Sequence, residues 1–339
     1  MQAQVLLKPR PVEEGPLRLT ERPVPEPGPG ELLIRVRTCG VCHTDLHVVE
    51  GEIPLPRLPV VPGHQVVGVV ERAGGPAPAG GAAAAIPPGT RVGVAWLHGT
   101  CESCDYCRSG SENLCGEARF TGYHVDGGFA EYLTAPADFV YPLPDRFSDL
   151  EAAPLLCAGI IGYRALRLSE ARPGERLALF GFGASAHITL QIAVHRGCEV
   201  YVFSRSEAHR RLAVDLGAAW AGQAGEGAPA QAERAILFAP AGPLIPTALR
   251  ALRRGGTLAI AVIHLDRVPS MDYALLYGER TIRSVTASTR QDGIELLRAA
   301  VDAGVRVTTE AFPLRDADRA LTLLKAGRIQ GAGVLVVSE

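Results

Sequence analysis

Lysine is nearly missing from this 339-residue sequence: Lys8 and Lys325 are the only two, and 34 basic residues face 36 acidic ones for a net charge of -2. Without a long Lys/Arg run, and with a pI near 6.5, the chain has no electrostatic footprint for nucleic acid or an anionic membrane surface. No apolar stretch approaches the roughly 18 residues of a membrane span. Residues Met1–Val5 also lack the basic and apolar segments of a signal peptide. These absences predict a cytoplasmic protein whose partners are small molecules. Cysteine is scarce too, since eight in a chain this long cannot make a disulfide scaffold. They are clustered, however, and clustered thiols in a reducing compartment suggest metal.

What is present is enough apolar residue, 47% of the chain, to bury a large core in two domains. Residues 1–147 carry short strand-like runs (QVLLK, ELLIRVR, QVVGVVER, TRVGVAW, GFAEYLTA) between Pro/Gly loops, as in an all-β domain. Ser148 and Glu151 then form a Ser-x-x-Glu capping box opening a helix through AAPLLCAGIIGYRAL, which marks a domain boundary. Beyond it, strand-like runs such as RLALFG, EVYVFS, RAILFA and TLAIAVI alternate with helical segments, predicting an α/β domain of residues 148–287 with a parallel sheet covered on both faces. The tail from Ser288, two helical segments and a last strand, could complete either domain. The low-complexity stretch 74–89 reads as a surface loop.

Cys101, Cys104, Cys107 and Cys115 follow C-x2-C-x2-C-x7-C spacing. Four thiolates suit tetrahedral Zn²⁺, and short spacings let one loop wrap the ion at little closure cost. An iron–sulfur cluster also uses four cysteines, but the wide last gap and the missing Pro after Cys115 disfavour it. Four protein ligands close the site, so its role would be structural. Gly181, Gly183 and Ala186 in ALFGFGASAHITL fit G-x-G-x-x-G/A between a strand and a helix, where backbone cradles a pyrophosphate.

Cys42 in GVCHTDLH, His64 in VPGHQ and Cys157 in LLCAG are scattered, and spacing alone leaves each open to an ordinary structural reading. Together with PGH, the four-Cys loop, PLLCAG and a Gly-x-Gly loop ending in His187, they make the chain resemble the zinc-dependent medium-chain alcohol dehydrogenases over nearly its full length. The resemblance implies a GroES-like, β-rich catalytic domain, completed by the segment 288–339, and a Rossmann cofactor domain. It implies two zinc ions per chain, one structural and one catalytic on Cys42, His64 and Cys157 with an open fourth position; the general Cys₂His geometry is a known example for this family. It further implies that Thr44 takes the alcohol proton and passes it through the cofactor ribose to His47, while Asp45 orients His64. Trp96 and Ile53 are expected to line the substrate pocket, with Ile53 leaving room for a longer or branched chain. The expected reaction interconverts an apolar primary alcohol and its aldehyde.

The nicotinamide is decided where the strand VYVF ends. Ser204 and Arg205 stand where an NAD enzyme usually has Asp or Glu, so NADP(H) is expected over NAD(H), with Ser206, Arg210 and Arg211 adding donors and charge. His43 and Arg290 are further phosphate candidates, since the final strand offers Ala332 where the family often has Arg. Gln65 replaces the family's usual Glu after the zinc His, and Cys39 and Cys198 read as core residues. Two other readings are a zinc-free quinone or enone reductase of the same superfamily and a non-catalytic zinc-stabilised nucleotide sensor. By analogy with relatives the chain would form dimers or tetramers, through the stretch VIHLDRVPSMDYALLYGE.

Overall fold

A computed structural model describes residues 1–75 and 86–338. The chain divides into two compact units: Met1–Cys157 with Ala287–Leu297 and Val307–Glu339, and Ala158–Thr286 with Arg298–Arg306. The first unit therefore runs past residue 147, and the tail expected to complete it is shared. The reasons are local. The helix Asp149–Pro154 does begin with the Ser148/Glu151 capping box, but Asp149 accepts hydrogen bonds from Arg37 (3.3 Å) and Arg91 (2.6 Å) of first-unit strands. Residues 298–306 go with the second unit, where the Gln191 side chain donates to the Arg306 carbonyl and accepts from its N–H (3.0 and 2.9 Å).

Among the described residues, the main sheet of the first unit orders its strands as Thr309–Pro313, Ala332–Val336, Glu31–Val41, Gln65–Ala73, Arg91–Val94 and Val140–Pro142, with Tyr132–Pro136 also pairing with Glu31–Val41. All of these pairings are antiparallel except the first. The strands are rich in β-branched residues, and Ile34, Val36, Val66, Val70, Val92 and Val94 are buried in one cluster with Phe129 and Leu335. Each such side chain contributes about 1.5–3 kcal/mol on burial. Cys39 lies in the same core, as its sequence context suggests. Of the expected surface loop at 74–89, residues 76–85 lie outside the described residues.

The second unit holds, among the described residues, a six-stranded sheet in the order Trp220–Gly222, Glu199–Phe203, Arg176–Phe180, Ala232–Leu237, Leu252–Ile260, Thr281–Ser284. Every pairing is parallel, and numbered along the chain the order is 3-2-1-4-5-6, that of a doubly wound dinucleotide-binding sheet. Its central strands, such as Arg176–Phe180 and Glu199–Phe203, are buried on both faces, whereas the edge strand Thr281–Ser284 is largely exposed. Phe180 and Phe203 on neighbouring strands stack at 4.3 Å in the core.

One element departs from the sequence reading. The helix expected through Ala152–Leu166 is interrupted: Asp149–Pro154 gives way to a π turn, Leu155–Gly159, before the helix Ile160–Ser169. Pro154 has no N–H to offer the carbonyl of Leu150, so the α-helical register cannot continue through it. Cys157 sits in that widened turn, a kind of irregularity frequent at functional sites. No helix among the described residues is long and apolar enough to cross a membrane.

Candidate active site and metal centres

The first unit brings Cys42, His64 and Cys157 together. Cys42 Sγ lies 3.4 Å from His64 Nε2 and 3.9 Å from Cys157 Sγ, and His64 Nε2 lies 3.3 Å from Cys157 Sγ. From Zn–S near 2.3 Å and Zn–N near 2.0–2.1 Å, a tetrahedral ion would separate two sulfurs by about 3.8 Å and sulfur from nitrogen by about 3.6 Å. The three donors thus fit one zinc ion and leave a fourth direction free. The Cys157 sulfur first, and burial second, push the Cys42 thiol well above its ordinary range, a shift that a dication among the donors would reverse.

Local sequence explains the orientation of this set. Cys42 precedes the helix His43–Glu50, and Asp45 in its first turn accepts the Cys42 N–H at 2.9 Å. The same buried carboxylate accepts the Gly63 N–H at 3.2 Å and lies 3.0 Å from His64 Nδ1. With Nδ1 held by Asp45, Nε2 is the nitrogen turned to the sulfurs. Gln65, the next residue, is buried at the start of its strand and its Nε2 finds no partner among the described residues.

Thr44 and His47 sit three apart on the same helix, Thr44 half-buried, and so share a face. His47 Nδ1 contacts the Glu52 carboxylate just past the helix end, a partner the sequence reading missed although Gly51 turns the chain back at that point. His43 is exposed at the helix start. Trp96 meets His64 edge-on at 4.8 Å, stacks on Phe120 at 4.9 Å and lies 5.8 Å from Tyr123, so Phe120 and Tyr123 join the apolar wall beside the donors. Nothing in their sequence spacing marks those two. Ile53 is half-buried against the first unit's core.

The four-Cys loop converges as well. Cys104 and Cys107 are 3.5 Å apart, Cys115 and Cys101 3.5 Å, Cys101 and Cys107 3.9 Å, and all four sulfurs lie within 4.8 Å of one another. Backbone N–H groups of Cys104 and Glu117 donate to the Cys101 and Cys115 sulfurs at 3.4 and 3.3 Å. Backbone donors from Ser103 and Cys104 pull the Cys101 thiol down to about 6, toward the thiolate a metal needs.

In the second unit the Gly-x-Gly turn follows strand Arg176–Phe180 and opens helix Ala184–His195. Gly181 has φ +91°, and a Cβ there would stand 2.9 Å from the Ala239 nitrogen. Gly183 has open space above it among the described residues, with nothing within 4 Å of a Cβ, which is the room a pyrophosphate needs. Ala186 is fully buried, so its methyl serves helix-to-sheet packing.

At the end of the next strand Ser204 is buried, while Arg205 is exposed and its guanidinium has no partner among the described residues. Ser206 caps the following helix by accepting the His209 N–H. Arg210 donates to the carbonyls of Ser204 and Arg205, both at 2.9 Å, and Arg211 pairs with Glu207. These three side chains are thereby engaged locally, which leaves Arg205 as the free cation of the group. Arg290, expected among the phosphate contacts, is also engaged. Its guanidinium donates to Glu112 (3.4 Å) and Glu102 (3.0 Å) of the first unit and lies 4.5 Å from the Phe139 ring centre. Glu112 is buried and would otherwise stand without a counter-charge.

Comparison with known proteins agrees with this geometry. Residues 28–145 match the family model described as the alcohol dehydrogenase GroES-like domain. The chain is 52% identical over 340 residues to the "Probable alcohol dehydrogenase AdhA" of Mycobacterium tuberculosis, covering 99% of this chain and 97% of that one. Among solved structures, the cinnamyl alcohol dehydrogenase SbCAD4 of Sorghum bicolor superposes with a TM-score of 0.88 at 28% identity, covering 98% of this chain and 97% of that chain. A cobalt- and zinc-bound thermostable alcohol dehydrogenase of Pyrobaculum aerophilum gives a TM-score of 0.88 at 27% identity, covering 99% of each chain.

Proposed function

From the premise that this chain belongs to the medium-chain alcohol dehydrogenases, oxidoreductases that interconvert alcohols and their carbonyl products with a nicotinamide cofactor, we propose that it is a zinc enzyme using NADP(H) on apolar primary alcohols and their aldehydes. The observation that carries the zinc assignment is the three-donor cluster of Cys42, His64 and Cys157, whose separations of 3.3 to 3.9 Å match a tetrahedral ion. A related protein of this fold holds zinc together with cobalt. A zinc-free reductase would have no use for this set. When bound, zinc supplies a Lewis acid that acidifies an alcohol hydroxyl, and the nicotinamide exchanges a hydride with the carbon.

The chain's own residues do the rest. Asp45 fixes the His64 tautomer so that the Nε2 lone pair is available. Thr44 Oγ1, two residues from Cys42, accepts the alcohol proton while giving up its own hydroxyl proton, which passes on to His47 and from there to solvent, with Glu52 steadying Nδ1. Trp96, Phe120 and Tyr123 form an apolar wall that favours an uncharged, hydrophobic substrate and excludes water. Four closed cysteine donors hold the second, structural zinc. The eight cysteines are all free of disulfides, which supports a reducing compartment such as the cytoplasm.

The NADP(H) assignment rests on the free guanidinium of Arg205 and the missing carboxylate at Ser204. Arg205 can bind a 2'-phosphate through charge-assisted hydrogen bonds. Ile263, Val268, Tyr273 and Tyr277 are 54 to 71% exposed within one stretch and support self-association into a dimer or tetramer.

Metal analysis with Cys157→Ala tests the core of this reading: zinc should fall from two ions to one per chain and turnover should vanish, with the circular dichroism spectrum retained. A variant that keeps wild-type zinc and turnover would reject it, and cofactor binding without turnover in wild type would favour the sensor. For the nicotinamide, Arg205→Ala should lower kcat/KM for NADPH about tenfold or more, the loss of one charged hydrogen bond, and leave NADH unaffected. A wild-type preference for NADH would overturn that assignment.

A further inference from the structure

The first unit contains a cavity of about 390 Å³ whose lining includes none of the metal donors. Its charged lining is the Met1 ammonium, Arg22, Arg57, Arg119, Glu31 and Asp126. Both acids are engaged. Asp126 accepts from Arg22 at 3.3 Å and from the Val61 N–H at 3.0 Å, with Arg57 at 3.4 Å, and Glu31 accepts the Gly28 N–H at 2.9 Å. Arg22 and Arg57 lie against Asp126, and the Met1 ammonium donates to the Arg22 carbonyl at 2.7 Å. Arg119 is the lining cation left over: it is exposed, and its side chain has no hydrogen bond or ion pair among the described residues.

His98 is the second sign of a built site. It lines the same cavity, is only 5% exposed, and its Nδ1 has no partner among the described residues. Native proteins seldom leave a buried ring nitrogen unmatched, and an unmatched one in a cavity wall commonly meets a ligand or an ordered water. Burial first, and Arg119 second, hold the imidazole down to about 4. At neutral pH it is therefore uncharged and offers one N–H. Val61, Ala130 and Leu133, all buried, supply an apolar side to the cavity.

We infer that this cavity binds a small organic carboxylate, with its anionic head on the Arg119 guanidinium and the His98 imidazole and its short carbon chain against Val61, Ala130 and Leu133. The planar fork of arginine matches a carboxylate through two parallel hydrogen bonds. A single unpartnered cation suits a monoanion better than a polyanion, and the volume lies within the range of small-molecule sites. This site is independent of the alcohol and cofactor reading.

Hexanoate serves as the probe and inorganic phosphate as a head group without a chain, each titrated calorimetrically into the metal-loaded protein. Wild type should bind hexanoate saturably and phosphate more weakly. Arg119→Gln, a change at an exposed side chain, should raise the hexanoate Kd at least tenfold, and Arg119→Lys should recover part of the loss. An unchanged Kd in Arg119→Gln would overturn the inference, as would no saturable binding at millimolar hexanoate. So would binding lost in Cys157→Ala and retained in Arg119→Gln, because the carboxylate would then sit at the metal centre.

Discussion

Two glycines separated by one residue should respond to the same substitution in opposite ways. At Gly181 the backbone has φ +91° and a Cβ would stand 2.9 Å from the Ala239 nitrogen and 3.0 Å from its Cβ. Alanine there costs about 1–2 kcal/mol for the left-handed backbone alone. The contact with Ala239, which is backbone and cannot swing aside, forces a further shift, for a total of about 2–3 kcal/mol. Gly183 lies at φ -103° and ψ -158°, an extended conformation open to any residue, and a Cβ there meets nothing within 4 Å. Gly183→Ala should therefore leave the stability of the protein within about 0.5 kcal/mol of wild type. Its methyl would fill the space above the turn where the pyrophosphate has to approach the backbone, raising the dinucleotide Kd at least tenfold, about 1.4 kcal/mol. Denaturant unfolding without cofactor and calorimetric titration with NADPH separate the two effects. If Gly183→Ala binds NADPH with the wild-type Kd, the pyrophosphate does not lie over this turn. If it loses as much stability as Gly181→Ala, the open space assigned to it is wrong.

Three further outcomes follow from particular contacts. Asp45→Asn removes the charge beside His64 Nδ1 and should weaken zinc at the three-donor site by about 10- to 100-fold, measured by chelator competition, with the four-Cys ion unaffected. Arg290→Ala leaves the buried Glu112 carboxylate without its guanidinium and should cost about 1–3 kcal/mol in unfolding, with the NADPH to NADH ratio of kcat/KM unchanged; a change in that ratio would return Arg290 to the phosphate site. Glu233 is held at about 2 chiefly by hydrogen bonds from the Arg176 side chain. Because the folded value lies below the unfolded one, its stabilisation is complete above about pH 4.5 and fades as pH falls toward 2. Arg176 is about a third exposed, so solvent screening reduces the contribution to about 1–2 kcal/mol; Glu233→Gln should lose it at neutral pH and show a flatter stability profile between pH 4.5 and 2.

The sequence by itself determined whatever depends on neighbours along the chain. The four cysteines fall within one short loop, so their spacing alone predicts that their sulfurs converge, as they do. The Gly-x-Gly turn likewise states its own backbone requirement, and the Ser148/Glu151 capping box starts its helix where it was expected. The alternation of strands and helices was legible for the same reason, since a short continuous apolar run marks each buried strand and a helical period each covering helix.

Tertiary structure decided whatever depends on distant partners. Cys42, His64 and Cys157 are separated by 22 and 93 residues, so spacing is silent about their meeting, and only the family resemblance suggested it. The pairing of Arg290 with Glu112, 178 residues away, was not legible, because a free and a paired arginine look alike in sequence. Phe120 and Tyr123 reach Trp96 only because strand Arg119–Phe120 pairs antiparallel with Leu97–Gly99 just after Trp96, and the π turn at Cys157 needed Pro154 read against the helix it interrupts. Local hydrogen bonding and backbone sterics are encoded within a few residues, whereas convergence and charge pairing belong to the packed chain.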